Sequence, residues 1–246
     1  MLLSFKDVTG PSMKSYRRYA IYFAPREGQF LDALEAWLGR SARSGVEVPH
    51  LALSALAAQG IDQAAITEAP RRYGAHATLK APFRLADGQR PEDLRKALID
   101  FARGQTALEL EALSLNRIGS FFALTPVGDT AKLNAFAFEI VQKFHPFAAL
   151  LSPDEIARRR PEKLSPRQRE LLARWSYPHV AEEFRFHITL TGKLAPESTD
   201  LIHAELTALF APLLPKPFLI EDLCLFGETE TGDFELIERI PLLGAS

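Results

Sequence analysis

Two four-residue motifs carry the residue types best suited to chemistry, His-Ala-Thr-Leu at residues 76–79 and His-Ile-Thr-Leu at residues 187–190. Alternate residues of a β-strand share a face, so each motif predicts one polar His/Thr face and one apolar face. Histidine titrates near neutral pH, so one imidazole can accept a proton while another donates one. Threonine hydroxyls can donate hydrogen bonds to phosphate oxygens. The pattern indicates acid–base chemistry on a phosphoester, with these predicted catalytic residues: His76, His187, Thr78 and Thr189.

The placement of the two motifs carries more weight than either motif alone. The chain has six histidines, and chance alone gives about 0.6 His-x-Ser/Thr triplets in such a sequence. Two triplets at corresponding places of an internal repeat are much harder to obtain by chance. Solvent-facing histidines on edge strands are the alternative. A zinc site is disfavoured because the sequence has neither an HExxH nor a CxxC motif, and we expect no metal and no cofactor.

Four other side chains are predicted to contact a substrate. Lys80 and Thr191 each follow a motif histidine by four residues, and Arg185 precedes His187 by two. A lysine or guanidinium cation on the histidine face would neutralise phosphate charge, and the alternatives are a solvated lysine and an arginine paired with a nearby glutamate. Tyr22 lies on the first predicted strand, where its ring would either stack on a base or sugar or fill the core.

An internal repeat organises the chain. The segment RYAIYFAP at 18–25 is matched by SFFALTPV at 120–127, and YGAHATLKAPFRL at 73–85 is matched by FRFHITLTGKL at 184–194. Self-similarity over about 100 residues is too long for a solenoid and indicates a duplicated α+β half. We predict a duplicated bilobal fold, with two antiparallel-sheet lobes, helices outside and a central groove where the histidine faces meet. No glycine-rich phosphate loop follows any predicted strand, which disfavours a Rossmann or P-loop fold.

The predicted domain organisation is a single bilobal domain over residues 17–246 that follows a loose leader at residues 1–16. Long irregular segments of compact domains are often functional, so insertions into this domain are candidate lids over the groove, with structural padding as the alternative. The two predicted pseudo-repeats cover about residues 17–117 and 118–241. The two predicted insertions cover about residues 40–72 and 145–183.

Helix and turn signals place the remaining elements. In the second insertion, Ser152-Pro153 and Ser165-Pro166 predict two helix starts. The run Arg158–Arg160 between them would either steer an anionic substrate or form a solvated helix face. Periodicity elsewhere predicts four helices, at residues 30–38, 91–101, 129–144 and 196–210. It also predicts a closing hairpin of two strands, at residues 217–226 and 233–240.

Composition excludes several classes of protein. The chain has 246 residues and a formal net charge of −2, which disfavours a nucleic-acid partner. A single cysteine cannot form an internal disulfide, which fits a reducing compartment. No apolar run approaches the roughly 20 residues of a membrane span, and the N-terminus lacks a signal-peptide pattern. We expect a cytoplasmic protein with a small phosphoester substrate and no membrane partner, and the oligomeric state stays open.

These motifs resemble those of the 2H phosphoesterase superfamily, which is named for two His-x-Ser/Thr-hydrophobic motifs on a duplicated α+β fold. Within it the sequence is similar to the bacterial subfamily DUF1045, often associated with phosphonate utilisation. The resemblance covers about residues 17–241 and includes RRYAIYFAP at 17–25, WLGR at 37–40 and RWSYPHV at 174–180. The family usually has an aromatic residue just before the first histidine, where this sequence has Ala75.

The resemblance implies an acid/base pair, His76 and His187, and a phosphate held by Thr78 and Thr189. Which histidine is the acid stays open. It also implies hydrolysis of a small, cyclic phosphodiester, and the leading expectation is a metal-independent hydrolase acting on phosphodiester bonds in phosphonate metabolism. RNA end processing or a 2′–5′ RNA ligase-like activity is the first alternative. A non-catalytic phosphoester-binding protein is the second.

Overall fold

A computed structural model describes residues 14–244 of the chain. The long helices and the closing hairpin predicted from periodicity are all present. The helices and strands follow one another as β1 (Tyr19–Phe23), α1 (Gln29–Leu38), α2 (Ser54–Ala58), α3 (Gln63–Arg71), β2 (Ala77–Phe83), α4 (Pro91–Arg103), β3 (Leu108–Leu110), β4 (Ala112–Ile118), β5 (Phe121–Val127), α5 (Ala131–Phe144), α6 (Pro153–Arg158), α7 (Pro166–Trp175), β6 (Ile188–Thr189), α8 (Thr199–Phe210), β7 (Phe218–Ile220), β8 (Asp222–Glu228) and β9 (Phe234–Pro241).

Seven strands form one antiparallel sheet in the order β4-β5-β6-β2-β1-β8-β9, and β3 pairs with β7 separately. The protein therefore has the predicted mixed α+β class, with a large antiparallel sheet and helices. The two lobes do not have separate sheets across a groove, because β2 and β6 hydrogen-bond to each other and join the halves. Three strands lie on the β6 side of this boundary and four on the β2 side, and the duplication itself stays a prediction.

Side chains of β1 alternate between two apolar clusters on opposite faces of the sheet. Tyr19, Ile21 and Phe23 pack into the main core, where the buried residues of α1, α4, α5 and α8 also lie. Ala20 and Tyr22 belong to a smaller cluster on the other face. The large helices thus cover one face of the sheet and leave the other face available for a site.

Helix α1 is tied to the strand that carries the second motif. Its apolar side packs into the main core, and the helix ends at Gly39, whose φ of 81° suits a left-handed C-cap. Trp37 is fully buried, and its indole Nε1–H donates to the carbonyl oxygen of Leu190 at 2.7 Å. This long-range hydrogen bond fixes the backbone directly after β6.

Both insertions contain helices. The first holds α2 and α3. In the second, the two helix starts are confirmed: Ser152 and Ser165 each accept a hydrogen bond from a backbone N–H three residues later and complete capping boxes. The arginine run lies at the end of α6.

The second motif strand is much shorter than the predicted 184–194. Residues 184–187 form no ladder, and β6 comprises only Ile188 and Thr189. The backbone N–H groups of Leu190 and Thr191 both donate to the carbonyl oxygen of Phe122, so regular pairing with β5 is interrupted there. Strict alternation of side chains therefore does not extend along the whole segment.

Part of the predicted leader packs against the sheet. Residues 1–13 lie outside the described range, but Tyr16 contacts Tyr19 edge-on at 6.0 Å between ring centroids. Its ring also lies over Gly227, where a Cβ would approach to 2.3 Å. Glycine at this point of β8 is required by that close approach.

Candidate functional site

The two motifs lie side by side in the sheet. His76 immediately precedes β2, and His187 immediately precedes β6. The two strands pair through Ala77 and Ile188, which are both fully buried in the main core. Because neighbouring residues of a strand point to opposite faces, the residues flanking this pair turn away from the main core.

Antiparallel register then determines which side chains become neighbours. From the Ala–Ile pair, His76 lies opposite Thr189, and Thr78 lies opposite His187. Directly opposed residues have Cβ atoms about 5 Å apart. Both histidines and both threonines line the same cavity. The predicted convergence of the two polar faces is therefore reached within one sheet and not across a groove.

The imidazole of His76 is held in one tautomer. Its Nδ1–H donates to the carbonyl oxygen of Gly74 at 3.0 Å, so Nε2 accepts from the hydroxyl of Thr78 at 3.3 Å. The ring of Tyr22 stacks on it at 4.1 Å between centroids. Burial lowers the pKa of His76 to about 4, the bond to Gly74 opposes this, and the charge of His187 adds to it. His76 is thus neutral at physiological pH.

The imidazole of His187 is oriented in the same way. Its Nδ1–H donates to the carbonyl oxygen of Arg185 at 2.8 Å, which directs Nε2 away from that backbone. The ring of Phe121 lies 6.0 Å from it between centroids. Over the described residues Nε2 makes no hydrogen bond, so it is available to a ligand in the cavity.

A cavity of about 600 Å³ opens over the histidine face. Its floor comes from β2 and from the start of β5, together with the second motif. Its walls come from both insertions: the end of α3, the segment around α6, and the stretch 175–177 after α7. This volume lies within the range of pockets that bind small molecules.

Positive charge is concentrated in this cavity. Arg84 is paired with Glu155 at 3.0 Å, and Arg18 is paired with Glu228 at 2.5 Å, so these two cations are neutralised. The other lining cations make no ion pair within the described part of the chain, and they are Lys80, Arg158, Arg159 and Lys193. In a chain of net charge −2, this concentration favours an anionic ligand.

Lys80 lies in the cavity as predicted, but it is not a solvated lysine. It is 4% exposed, and its Nζ lies 5.0 Å from the ring centroid of Phe83. Burial lowers the pKa of Lys80 to about 8. A buried ammonium group without an ion pair is costly, which indicates a position shaped for an incoming anion.

The other three residues predicted to contact a substrate differ in where they lie relative to the cavity. Tyr22 lines the cavity, but it is 1% exposed and packs against the imidazole ring of His76. Thr191 lines it too, although its hydroxyl accepts from the N–H of Phe122 and donates to the carbonyl of Gly192, a structural role. Arg185 is exposed, precedes the short β6 and does not line the cavity, so its contact with a substrate stays a prediction that this placement does not support.

Several lining residues were not predicted from the sequence. Tyr73 lies 5.7 Å from the ring of His76, and Tyr177 lies under the guanidinium of Arg159 at 5.1 Å. Arg18 and Arg84 are further examples. These residues lie outside the motifs, mostly in insertions or at strand ends, where no periodicity links them to the histidines.

Neither a membrane-spanning helix nor a metal-binding cluster occurs among residues 14–244. No helix there has the length and apolar character needed to cross a membrane. No group of three or more His, Cys, Asp or Glu side chains in that range is placed to hold a metal ion.

Fold and site together define an α+β protein in which paired His-x-Thr motifs on adjacent strands face a cationic cavity. The chain belongs to the family described as "Protein of unknown function (DUF1045)", whose profile matches residues 78–235. The family assignment from the sequence is thereby confirmed. Membership of the wider 2H superfamily is not addressed by this match and stays a proposal.

Two curated proteins are similar over most of the chain, and both are named ribose 1,5-bisphosphate phosphokinase PhnN. The one from Janthinobacterium sp. (strain Marseille) is 34% identical over 239 residues, which is 95% of this chain and 52% of the relative. The one from Laribacter hongkongensis (strain HLHK9) is 36% identical over 232 residues, 93% of this chain and 52% of the relative. The chain thus spans about half the length of these relatives.

A solved structure, TT0787 of Thermus thermophilus, is similar over 93% of this chain and 100% of its own, with a TM-score of 0.43 and 12% identity.

The names of the two relatives correct one expectation from the sequence. The expectation of a hydrolase acting on phosphodiester bonds is wrong, because the relatives are named as a kinase, which is a transferase.

Proposed function

We propose that the cavity binds a small phosphorylated sugar and that its two histidines transfer a phosphoryl group between hydroxyl oxygens. The observation that carries the proposal is the convergence of two His–Thr pairs on one face beneath a cationic cavity. The relatives' name supplies the class of ligand, a ribose phosphate, and transfer agrees with their naming as a kinase. We place this activity in phosphonate metabolism and the chain in the 2H superfamily.

His76 is the proposed general base. Its neutral Nε2 accepts a proton from the attacking hydroxyl, whose oxygen then bonds to phosphorus. The hydrogen bond from Thr78 to Nε2 marks the position that the attacking hydroxyl takes in the complex. The carbonyl of Gly74 holds the ring through Nδ1–H and stabilises the imidazolium that forms.

His187 is the proposed general acid. As the bond from phosphorus to the leaving oxygen breaks, imidazolium Nε2 donates its proton to that oxygen, and the two histidines end with exchanged protonation states. Thr78 and Thr189 donate to the non-bridging phosphate oxygens, where negative charge must be held. Lys80 adds positive charge to the same cavity.

The proposal concerns only the part of the reaction that this half of its relatives would contribute. Kinases that bind nucleotides through a P-loop need a glycine-rich loop, and this sequence has none after a strand. We therefore assign the sugar-phosphate end of the reaction to the cavity. A non-catalytic phosphoester-binding protein is the second candidate, and the lowered pKa of His76 favours it because a weakly basic imidazole is a poor base.

Phosphorus NMR of the purified chain with ribose 1,5-bisphosphate, with and without ATP, tests the proposal. We expect phosphate to move between sugar hydroxyls, and His76→Gln or His187→Gln to slow transfer at least about 100-fold. His203→Gln is the matched control, because His203 is an exposed histidine of α8 outside the cavity.

Ligand affinity, measured by calorimetry, separates the candidates. Binding without transfer in the wild type would favour the non-catalytic candidate. Transfer that persists in both histidine variants, or no binding of the sugar phosphate, would overturn the proposal. A strong preference for oligonucleotides would favour the RNA-directed alternative.

A further inference from the structure

We propose that Arg158, Arg159 and Lys80 form a second anion-binding subsite in the cavity, so that the ligand is a sugar with two phosphate groups. This inference rests on the proposed function, because it takes the His–Thr pairs as the place of the first phosphate. It adds a specificity determinant that lies in the second insertion, outside both motifs.

The two arginines lack the acidic partners that their sequence surroundings offer. Glu155, on the same helix, is taken by Arg84 at 3.0 Å. Glu170, on α7, is taken by Arg167 at 2.9 Å. Within residues 14–244 neither cavity arginine forms an ion pair, although both line the cavity. Arg158 is exposed and Arg159 is half-buried, so the pair is partly solvated, but no acidic side chain among the described residues neutralises it.

Arg159 is oriented by an aromatic ring. Its guanidinium lies 5.1 Å from the ring centroid of Tyr177, a cation–π geometry that leaves its N–H donors free for a ligand. Tyr177 in turn packs edge-on against His179 at 5.6 Å. Burial and, to a smaller extent, the charge of Arg159 lower the pKa of His179.

Lys80 links this arginine pair to the first phosphate position. The register of β2 against β1 shifts between Thr78 and Lys80, so strict alternation ends there, and Lys80, Ala81 and Pro82 all line the cavity. Lys80 lies two residues, about 7 Å, beyond Thr78 along the cavity wall. A phosphate at the His–Thr pairs therefore leaves Lys80 and the arginines available to a second one.

Calorimetric titrations with ribose 1,5-bisphosphate and ribose 5-phosphate test the inference. For the wild type we expect at least a tenfold tighter Kd for the bisphosphate. The double variant Arg158→Gln/Arg159→Gln should lose that preference while its affinity for ribose 5-phosphate stays within about twofold. The double variant Arg160→Gln/Lys163→Gln removes two charges from exposed residues of the same segment that do not line the cavity, and it should keep the preference.

The outcomes of these titrations distinguish failure of the second subsite from failure of the proposed function. Equal affinity for both ligands in the wild type, or a preference that survives in the cavity double variant, would overturn the second subsite and leave the proposed function standing. A loss of preference in the control variant as well would show a general charge effect and would also overturn the subsite. No binding of either sugar phosphate would overturn both.

Discussion

The histidines of the two motifs have different surroundings. His76 is stacked under Tyr22 and hydrogen-bonded on both ring nitrogens, whereas His187 is fixed only through Nδ1. Burial without a carboxylate partner disfavours the imidazolium form of His76. This difference is the basis of our proposal that His76 is the base and His187 the acid, roles that the symmetric motifs leave open.

The lowered pKa of His76 predicts a pH-dependent stability. Between about pH 6.5 and pH 4 the unfolded chain binds a proton on this residue that the folded chain does not, so stability falls as the pH decreases. A shift of this size corresponds to about 3 kcal/mol. Urea unfolding at several pH values should show that His76→Gln loses about 3 kcal/mol less than the wild type over this interval. Parallel curves for the two proteins would contradict the prediction.

Lys80 predicts a conflict between stability and ligand binding. The folded pKa of about 8 lies below the unfolded value, so at pH 7 the buried ammonium destabilises the fold, and stability rises with pH from about 8 to 10.5. Lys80→Met should raise the free energy of unfolding at pH 7 by about 1–3 kcal/mol. It should weaken binding of ribose 1,5-bisphosphate at least tenfold. A less stable variant with unchanged affinity would show a structural lysine instead.

At the scale of elements, the site depends on one short strand in a precise register. β6 has two residues, and a single pair joins it to β2. A one-residue slip would turn its threonine and histidine to the core face. Two pairs with β5 and contacts outside the ladder also hold β6, and the bond from Trp37 to the carbonyl of Leu190 is one of these contacts.

Replacing Trp37 by phenylalanine removes that hydrogen bond and leaves a buried carbonyl without a partner. We expect a loss of about 1–3 kcal/mol in unfolding free energy, or a Tm lower by roughly 2–10 °C. Trp175→Phe is the matched control, because Trp175 is partly exposed and its indole N–H makes no hydrogen bond within the described residues. Equal effects of the two substitutions would indicate that ring volume, not the hydrogen bond, matters.

Elements with local signals were predictable, and long-range pairing was not. Capping serines located α6 and α7, and alternation located the face of His76 and Thr78. The β6–β2 pairing that merges the two halves joins residues more than 100 positions apart and has no local signature. The placement of Arg185 outside the cavity was not predictable for a related reason, because residues 184–187 leave the ladder and alternation does not extend to them.

At the scale of the whole molecule, the second insertion behaves as a wall anchored to the sheet by charge. Arg84, just after β2, pairs with Glu155 of α6, and it also donates to the carbonyl of Leu150 at 2.9 Å. The guanidinium of Arg84 lowers the pKa of Glu155 to about 2. The pair links the segment that carries the cavity arginines to the strand that carries His76.

Glu155→Gln should loosen that wall without unfolding the core. Glutamine can still cap at this helix position, so the change removes mainly the ion pair, worth about 1 kcal/mol. Amide hydrogen exchange in α6 should become about fivefold faster, while α1 stays unchanged. Glu170→Gln, which breaks the exposed pair with Arg167, should leave α6 unaffected. Unchanged exchange in α6 of Glu155→Gln would mean that its packing, and not this ion pair, holds the insertion over the cavity.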